Sequence, residues 1–188
     1  MSKIKPPDYF DSLPQKRQEN YAKKGIIKMI FRQALPQEIN FIFSEGYKEW
    51  RKNRTFEQYC SDNAKEDVYG TRYVLDVDNE IVSSLIILKL KDIAGKKAYG
   101  IGSVLTPKIH AGKGYASELL KKSLQKEKED SFIFLFSDIN PQFYKRFNFK
   151  ILPSKFQRYE KSACMVYCND VNWNELLNCS LDAIPNYF

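Results

Sequence analysis

The sequence predicts a single α/β domain of the α+β type, in which helices flank a mixed, mostly antiparallel central sheet of about six to seven strands. Apolar residues switch along the chain between a strand-like period of two and a helix-like period of 3.6. The pair Asp78-Asn79 suits a tight hairpin turn. A glycine corner, GKG at 112–114, joins a predicted strand to a predicted helix. The 188 residues are enough for one domain with a substantial core.

The first third of the chain is predicted to form one strand and two helices. The run IIKMIFR at Ile26–Arg32 is strand-like, and Pro36 fits the first turn of a helix. Thr55 is placed to cap a second helix that runs to about Ala64. The apolar stripe of the first helix consists of Ile39, Phe41, Ile42, Gly46, Tyr47 and Trp50.

Three strands follow, two of them in a hairpin. Arg72–Val77 and Glu80–Lys91 are joined by the Asp78-Asn79 turn. A turn at Ala94–Lys96 then leads into a strand over Lys97–Leu105.

The rest of the chain alternates helices and strands. Tyr115–Lys128 has its leucines on one face and is predicted to be a helix, and Ser131–Ser137 is an unbroken apolar run typical of a strand covered on both faces. Asn140–Arg146 is predicted as a short helix, followed by strands at Phe149–Leu152 and Phe156–Tyr167. The predicted order is therefore β-α-α-β-β-β-α-β-α-β-β, with hairpins first and a βαβ crossover around the glycine corner.

Composition excludes several classes of protein. A hydrophobic content of 43% and an aromatic content of 14% are those of a globular domain. No apolar run approaches the roughly 18–20 residues of a membrane span, and Met1–Phe10 does not read as a signal peptide. The four cysteines lack disulfide or zinc spacing. We expect a cytoplasmic protein with reduced thiols, no metal and no membrane contact.

Charge is distributed unevenly along the single domain predicted for residues 1–188. We interpret residues 1–24 as an N-terminal arm, and 169–188 as an acidic tail or helix, or as a boundary to a further segment. Basic residues are concentrated at 141–162 within a net charge of +7. Because no nucleic-acid-binding motif accompanies this cluster, a nucleic-acid partner is the less favoured interpretation.

The glycine corner favours a phosphate ligand. Small residues let the backbone approach a phosphate, and the N–H groups at a helix N-terminus point at its oxygens. The Walker pattern fails, because Pro107 and Gly114 stand at its first glycine and its Ser/Thr position. The dinucleotide pattern fails because Ser117 replaces its third glycine.

The corner resembles the acyl-CoA loop of the GCN5-related N-acetyltransferases (GNAT), whose motif is Arg or Gln, two residues, Gly, one residue, then Gly or Ala. It maps onto the segment AGKGYA at Ala111–Ala116. Ala111 departs from the family's Arg or Gln, and Lys113 or Lys108 is placed to substitute for that side chain. His110 is expected to face solvent in this loop.

A second motif lies about 30 residues further on. The segment FYKRFNF at Phe143–Phe149 resembles the family's Phe-Tyr, three residues, Gly-Phe signature, with Asn148 at the glycine. Asparagine is a common substitute for glycine where a positive φ is needed. The resemblance covers residues 72–152 well, and it is similar in particular to the acetyltransferase domain of yeast-type L-lysine N-acetyltransferases.

The resemblance implies acetyl-CoA as co-substrate, bound between two splayed strands. The N–H of Leu105 would polarise the thioester carbonyl, and the strand end would pair with the pantetheine arm. The implied cofactor-binding residues are Val104, Leu105, Thr106, Ala111, Gly112, Lys113, Gly114, Tyr115, Ala116 and Ser117.

It also implies Tyr144 as the acid that protonates the departing thiolate, although an aromatic core residue is the alternative. The base is less clear, because the strand Tyr99–Leu105 has no carboxylate. Asp138 is the first candidate and is equally a turn residue. Glu45 and Glu66 are the others.

The predicted function is transfer of an acetyl group to a primary amine, with a small amino-acid-like amine such as lysine as partner. The alternative is a non-catalytic acyl-CoA or partner-binding module on the same fold, which the Ala111 substitution and the missing carboxylate favour.

Overall fold

The computed structural model describes residues 28–126 and 130–188, which contain one seven-stranded sheet in the order β1-β2-β3-β4-β5-β7-β6. The predicted class and order of elements are confirmed. The strands are β1 (Met29–Gln33), β2 (Gly70–Val77), β3 (Glu80–Ile93), β4 (Lys96–Leu105), β5 (Ser131–Ser137), β6 (Lys150–Ile151) and β7 (Ala163–Tyr167). The α-helices are α1 (Ile39–Trp50), α2 (Phe56–Ala64), α3 (Tyr115–Lys126), α4 (Gln142–Lys145) and α5 (Asp170–Leu177).

The sheet is antiparallel everywhere except between β4 and β5, which α3 connects as a βαβ unit. The β2–β3 hairpin turns at Asp78 (φ 54°) and Asn79 (φ 67°). Positive φ at both positions is the type I′ geometry that matches the twist of the flanking strands. The predicted hairpin is therefore confirmed.

Alternation along the strands divides the core between two faces of the sheet. On one, which we call the loop face, Leu75, Ile133 and Leu135 pack with Leu119 and Leu120 of α3. On the other, the wall face, Val74 packs with α1 and α2, and Phe132 and Phe134 pack with α5. β5 is covered on both faces, as its unbroken apolar run predicts.

The predicted cap of α2 is confirmed, but one position of the α1 stripe is wrong. The Thr55 side chain accepts a hydrogen bond from the Gln58 N–H, and the Gln58 side chain accepts one from the Thr55 N–H, forming a capping box. In α1, Phe43 is buried and Phe41 is exposed. The helix starts after a 3-10 turn at Pro36–Glu38, which rotates the stripe relative to the sequence spacing.

The last strand begins later than predicted, at Ala163, because Phe156 ends a 3-10 turn at Ser154–Phe156. The Gln157 side chain then replaces strand pairing. Its Nε2 donates to the carbonyls of Leu152 and Cys164, and its Oε1 accepts from the Cys164 N–H. The amide therefore bridges β6 and β7 beyond their backbone ladder.

Residues 169–188 pack against the basic segment 141–162. Lys150 Nζ lies 2.7 Å from Asp170 Oδ1, Lys155 donates to the Leu177 carbonyl, and Arg158 donates to the Asn186 side chain. Asn169 caps α5 through the Asn172 N–H. The tail therefore neutralises part of the basic cluster. Residues 1–24 lie outside the described residues, as do Ile26 and Ile27 of the first predicted strand. Among the described helices, none combines the length and apolar character that a membrane span needs.

Candidate active site

Strands β4 and β5 separate toward their carboxyl ends. They pair from Lys97–Ser131 to Gly100–Phe134, and no later pair joins them in the described residues. β4 continues with β3 as far as Leu105, while β5 continues with β7 as far as Ser137. The two strands therefore enclose a wedge-shaped gap, which we call the split. The edge of β4 from Ile101 to Leu105 faces this gap.

A β-bulge changes the direction of β4 where the strand borders the split. Ser84 of β3 pairs with Leu105 and Ile86 with Gly102, so that β4 has one residue more than β3 across this interval. Ser103 absorbs the irregularity at φ 49°, in the left-handed region that a non-glycine residue rarely adopts. Strain of this kind persists only where the surroundings over-determine it, and it is concentrated at functional sites.

A cavity of about 360 Å³ occupies the split and opens between α1 and α2 on the wall face. Its floor and sides come from distant parts of the chain: the α1–α2 region, the bulge, the end of β5, α4 and the last two residues. The lining residues are Trp50, Lys52, Arg54, Tyr59, Asp62, Asn63, Glu66, Ile101, Gly102, Ser103, Val104, Phe136, Asp138, Ile139, Tyr144, Tyr187 and Phe188.

The glycine corner has the backbone that the motif requires. Gly112 and Gly114 have φ of 73° and 85°. The Glu118 N–H donates a hydrogen bond to the Gly114 carbonyl. The N–H groups that come before it in the first turn of α3 point out of the N-terminal end of the helix. A Cβ at Gly112 would meet nothing within 4 Å, which leaves open space for a ligand against the backbone. This geometry suits an anionic group such as a pyrophosphate.

His110 does not face solvent, contrary to the expectation from sequence. It is 7% exposed, its Nε2 lies 3.0 Å from Glu80 Oε1, and its ring contacts Tyr115 edge-on at 6.0 Å. A 3-10 turn at Lys108–His110 rotates the imidazole inward. His110 therefore anchors the loop to the start of β3 and to α3. The Nζ of Lys108, one candidate substitute for the missing family side chain, lies 3.3 Å from Glu49 Oε1.

The second motif forms a tight turn after α4. Asn148 has φ 64°, as the substitution for glycine predicts. The N–H groups of Phe147 and Phe149 both donate to the Tyr144 carbonyl, at 2.9 and 3.4 Å. This turn holds the Tyr144 ring edge-on between Phe143 and Phe149, at 5.0 and 6.0 Å.

The Tyr144 side chain is buried in the core on the loop face of the sheet and also lines the cavity. The residue is 7% exposed. Burial raises the pKa of its hydroxyl to about 12, with a smaller contribution from the charge of Asp138. At neutral pH the hydroxyl therefore carries its proton.

Asp138 lines the same cavity, but both of its carboxylate oxygens accept hydrogen bonds. The Ser162 hydroxyl donates to Oδ1, and the Tyr187 hydroxyl donates to Oδ2 at 2.9 Å. Burial, and then the bond to Asp138, raise the pKa of Tyr187 to about 12, which keeps this hydroxyl a donor. Asp138 is thus an anchor for residue 187 as well as a neighbour of Tyr144.

Glu66 also lines the cavity, and its carboxylate has weaker hydrogen-bond contacts than that of Asp138. Its Oε2 lies 3.5 Å from Arg72, a long contact, while Arg72 makes a 2.7 Å bond to Asp67. The Glu66 side chain is 22% exposed, and burial raises the pKa of its carboxyl above the ordinary 4.5. Glu45 lies outside this cavity, on a second one beside Lys108, and pairs with Lys48.

A protein-family model described as "Acetyltransferase (GNAT) domain" matches residues 37–152, which is well over half of the chain. The chain belongs to the GNAT acetyltransferase family. The matched segment runs from α1 through the glycine corner and the Phe-Tyr motif to β6. None of the curated protein sequences matches this GNAT chain significantly.

Solved structures with the same fold are distant in sequence. An Escherichia coli GNAT family N-acetyltransferase in complex with CoA is 16% identical with a TM-score of 0.62, over 82% of this chain and 87% of that one. A Brucella melitensis GNAT family acetyltransferase in complex with acetyl-CoA is 18% identical with a TM-score of 0.53, over 76% and 90%. A conserved Enterococcus faecalis protein is 16% identical with a TM-score of 0.57; the match covers 65% of this chain and about a third (32%) of that protein.

Sequence reasoning missed the aromatic wall of this GNAT cavity. Trp50, Tyr59, Tyr187 and Phe188 belong to segments that approach one another only in the folded chain. One signal was present in the sequence. Glycines at 100 and 102, alternate positions of a strand, mark a place where another group approaches the backbone closely.

Proposed function

We propose that this protein transfers an acetyl group from acetyl-CoA to a primary amine, and that the acceptor is a small amino-acid-like amine. The observation that carries the proposal is the cavity in the split, which brings the Tyr144 side chain and the bulged end of β4 together. The glycine corner lies at the start of α3, the helix that packs on the loop face of the sheet.

The acetyl-CoA side uses mainly backbone. Because β5 pairs no further than Phe134 with β4, the β4 edge at Val104, Leu105 and Thr106 is available to an extended pantetheine arm as to an added strand. The loop from Ala111 to Ser117 offers helix N–H groups and two positive-φ glycines to the pyrophosphate. The missing family side chain at 111 leaves this backbone contribution intact.

Tyr144 supplies the proton. Acetyl-CoA contributes an activated thioester: the amine nitrogen bonds to the carbonyl carbon, the carbon–sulfur bond breaks, and sulfur leaves with the electron pair. Tyr144 then donates its proton to that sulfur. Because its pKa is about 12, Tyr144 keeps its proton until the thiolate forms. The same desolvation raises the pKa of the CoA thiol in the split, so the thiolate accepts that proton more readily.

Glu66 is the base that the geometry favours, with Asp138 as the alternative. A base must accept the amine proton, so it needs a free lone pair and a raised pKa. Within the part of the chain that the structure describes, the Glu66 carboxylate has only the long contact to Arg72, and burial raises its pKa. Asp138 already accepts two hydroxyl protons in hydrogen bonds.

The charges around the cavity favour a zwitterion. Glu66 is placed to hold the acceptor's ammonium group, and Lys52 lies at the opening, 6.0 Å from the Tyr187 ring. Lys52 is therefore placed to meet a carboxylate. A net charge of +7 would also repel polycationic tails more than it repels a zwitterion.

The test is a thiol-release assay with acetyl-CoA and a panel of free amino acids, polyamines and lysine-rich peptides. Amine-dependent release of CoA, faster on free lysine than on a lysine-rich peptide at equal amine concentration, supports the proposal. A preference for the peptide would overturn the small-molecule acceptor and leave acetyl transfer standing. Tight binding of CoA with no turnover on any amine would instead support the non-catalytic module, which the alanine at 111 favours.

A further inference from the structure

The aromatic ring of Phe188 lies on two glycines of one strand. A Cβ built on Gly100 would lie 2.5 Å from Phe188 Cζ, and one built on Gly102 would lie 3.9 Å from Cδ2. Residues two apart in a strand share a face, so both glycines open the wall face of β4 to this ring. Any other residue at 100 would displace it.

The same ring also touches the strand on the other side of the split. Its centroid lies 5.3 Å from that of Phe136 of β5, in an edge-on contact. Phe188 therefore spans from β4 to β5, at the level where their pairing ends with Gly100 and Phe134. It forms the deep end of the cavity that Ser103 and Tyr144 also line.

Several contacts of the preceding residue hold the ring in place. The Tyr187 hydroxyl donates to Asp138, and the Tyr187 N–H donates to the Tyr159 hydroxyl at 3.2 Å. Its ring packs on Phe136 at 5.0 Å and on Tyr159 at 5.6 Å. Ile184, which is buried, fixes the segment on the core.

We propose that Phe188 closes the deep end of the split and limits the length of the acyl group that the site accepts. This inference rests on the proposed function. A thioester held at the end of β4 has its acyl chain in the split, where the Phe188 ring takes the space that a longer chain would need. The predicted donor is therefore a short-chain acyl-CoA.

The experiment measures the dissociation constants of CoA, acetyl-CoA, butyryl-CoA and hexanoyl-CoA, which requires no knowledge of the acceptor. In the wild-type protein we expect hexanoyl-CoA to bind at least about tenfold more weakly than acetyl-CoA, since a filled pocket rejects added methylenes. Phe188→Ala should bring the two within about threefold and leave the affinity for CoA itself unchanged.

The outcomes separate this inference from the proposed function. If wild-type protein binds no CoA, the proposed function fails. If it binds CoA and Phe188→Ala keeps the wild-type discrimination between acyl chains, the limit set by Phe188 is wrong. Trp173→Ala, a matched truncation of another aromatic in the same core cluster but outside the cavity lining, should keep the wild-type preference.

A double-mutant cycle tests the position of the ring without any ligand. Gly100→Ala should lower the melting temperature in the wild-type background, because the new Cβ meets the ring. The loss should be clearly smaller in the Phe188→Ala background, where the methyl group enters vacated space. An equal loss in both backgrounds would overturn the proposed contact.

Discussion

The glycine-corner loop and the aromatic wall of the cavity are built in different ways. The loop is one continuous segment, 111–117, whose properties depend on backbone conformation: two glycines with positive φ and the open end of a helix. The wall is assembled from the α1–α2 region, the end of β5 and residues 187–188, and acts through side chains. A local backbone conformation requires particular residues at neighbouring positions, so it can be recognised in the sequence. A wall built from distant segments forms only when the chain folds.

The two regions should therefore respond differently to substitution. A change in the loop should weaken binding of every CoA derivative. A change in the wall or at Tyr144 should leave CoA bound and alter turnover, acceptor or acyl preference. Substitutions in each region test this division.

Tyr144→Phe should lower kcat by about 10²–10³-fold while the dissociation constant of CoA stays within about twofold, since the hydroxyl is needed when the thiolate leaves. Steady-state kinetics and calorimetry measure the two quantities. Tyr167→Phe, which removes a hydroxyl near the same core cluster but outside the cavity lining, is the matched control. A normal kcat in the Tyr144 variant would assign this residue to the core alone.

Gly114→Val should abolish stabilisation by CoA. At a CoA concentration 100 times the dissociation constant, the wild-type protein should gain about 2.7 kcal/mol. Valine at φ 85° would strain the corner and fill the space that a phosphate needs. Gly95→Val is the control, because Gly95 has φ 75° in a turn remote from the cavity. Equal CoA-dependent shifts in melting temperature for both variants would contradict the loop assignment.

Glu66→Gln should lower kcat/KM by about 10–10²-fold and remove the acid limb of its pH profile. Burial raises the Glu66 pKa above 4.5, so wild-type activity should increase with pH through a value higher than that. The amide cannot titrate, so the variant's profile should be flat there. Asp138→Asn provides the comparison: if it alone removes the limb, Asp138 is the base.

The same shift has a consequence for stability. Between 4.5 and the raised folded-state pKa, the folded protein binds the Glu66 proton more strongly than the unfolded chain does. This contribution to the free energy of unfolding therefore decreases as pH rises through that range, the reverse of a carboxylate with a lowered pKa. The slope of the free energy of unfolding against pH, measured by urea unfolding across this range, should therefore be more positive in Glu66→Gln than in the wild-type protein. An identical slope would contradict the shift.

Ser103→Gly should give the smallest effect, an increase of about 0.5–1 kcal/mol in the free energy of unfolding, because glycine adopts φ 49° without strain. Ser103→Ala keeps the strained backbone and should show no gain. Urea unfolding curves of the three proteins decide the point, and a loss of stability in the glycine variant would mean that the serine side chain itself holds the bulge.

Most of the strands, the β2–β3 hairpin and the backbone of both motifs could be predicted from the sequence, whereas the start of the last strand could not. Apolar period, the Asp78-Asn79 turn and the asparagine at 148 each reflect a requirement that a few neighbouring residues satisfy among themselves. The order of elements followed, because a βαβ crossover leaves few arrangements for the remaining strands.

Three features could be found only in the folded chain: both Asp138 oxygens accept hydrogen bonds, His110 turns inward, and the Phe188 ring lies on Gly100. Each depends on the contact of residues distant in sequence: Asp138 with Tyr187, His110 with Glu80, and Phe188 with Gly100. Such contacts are selected by the packing of the whole core, so no local pattern specifies them. Gly100 and Gly102 of β4 indicate only that another group packs closely against the strand, and they do not identify that group.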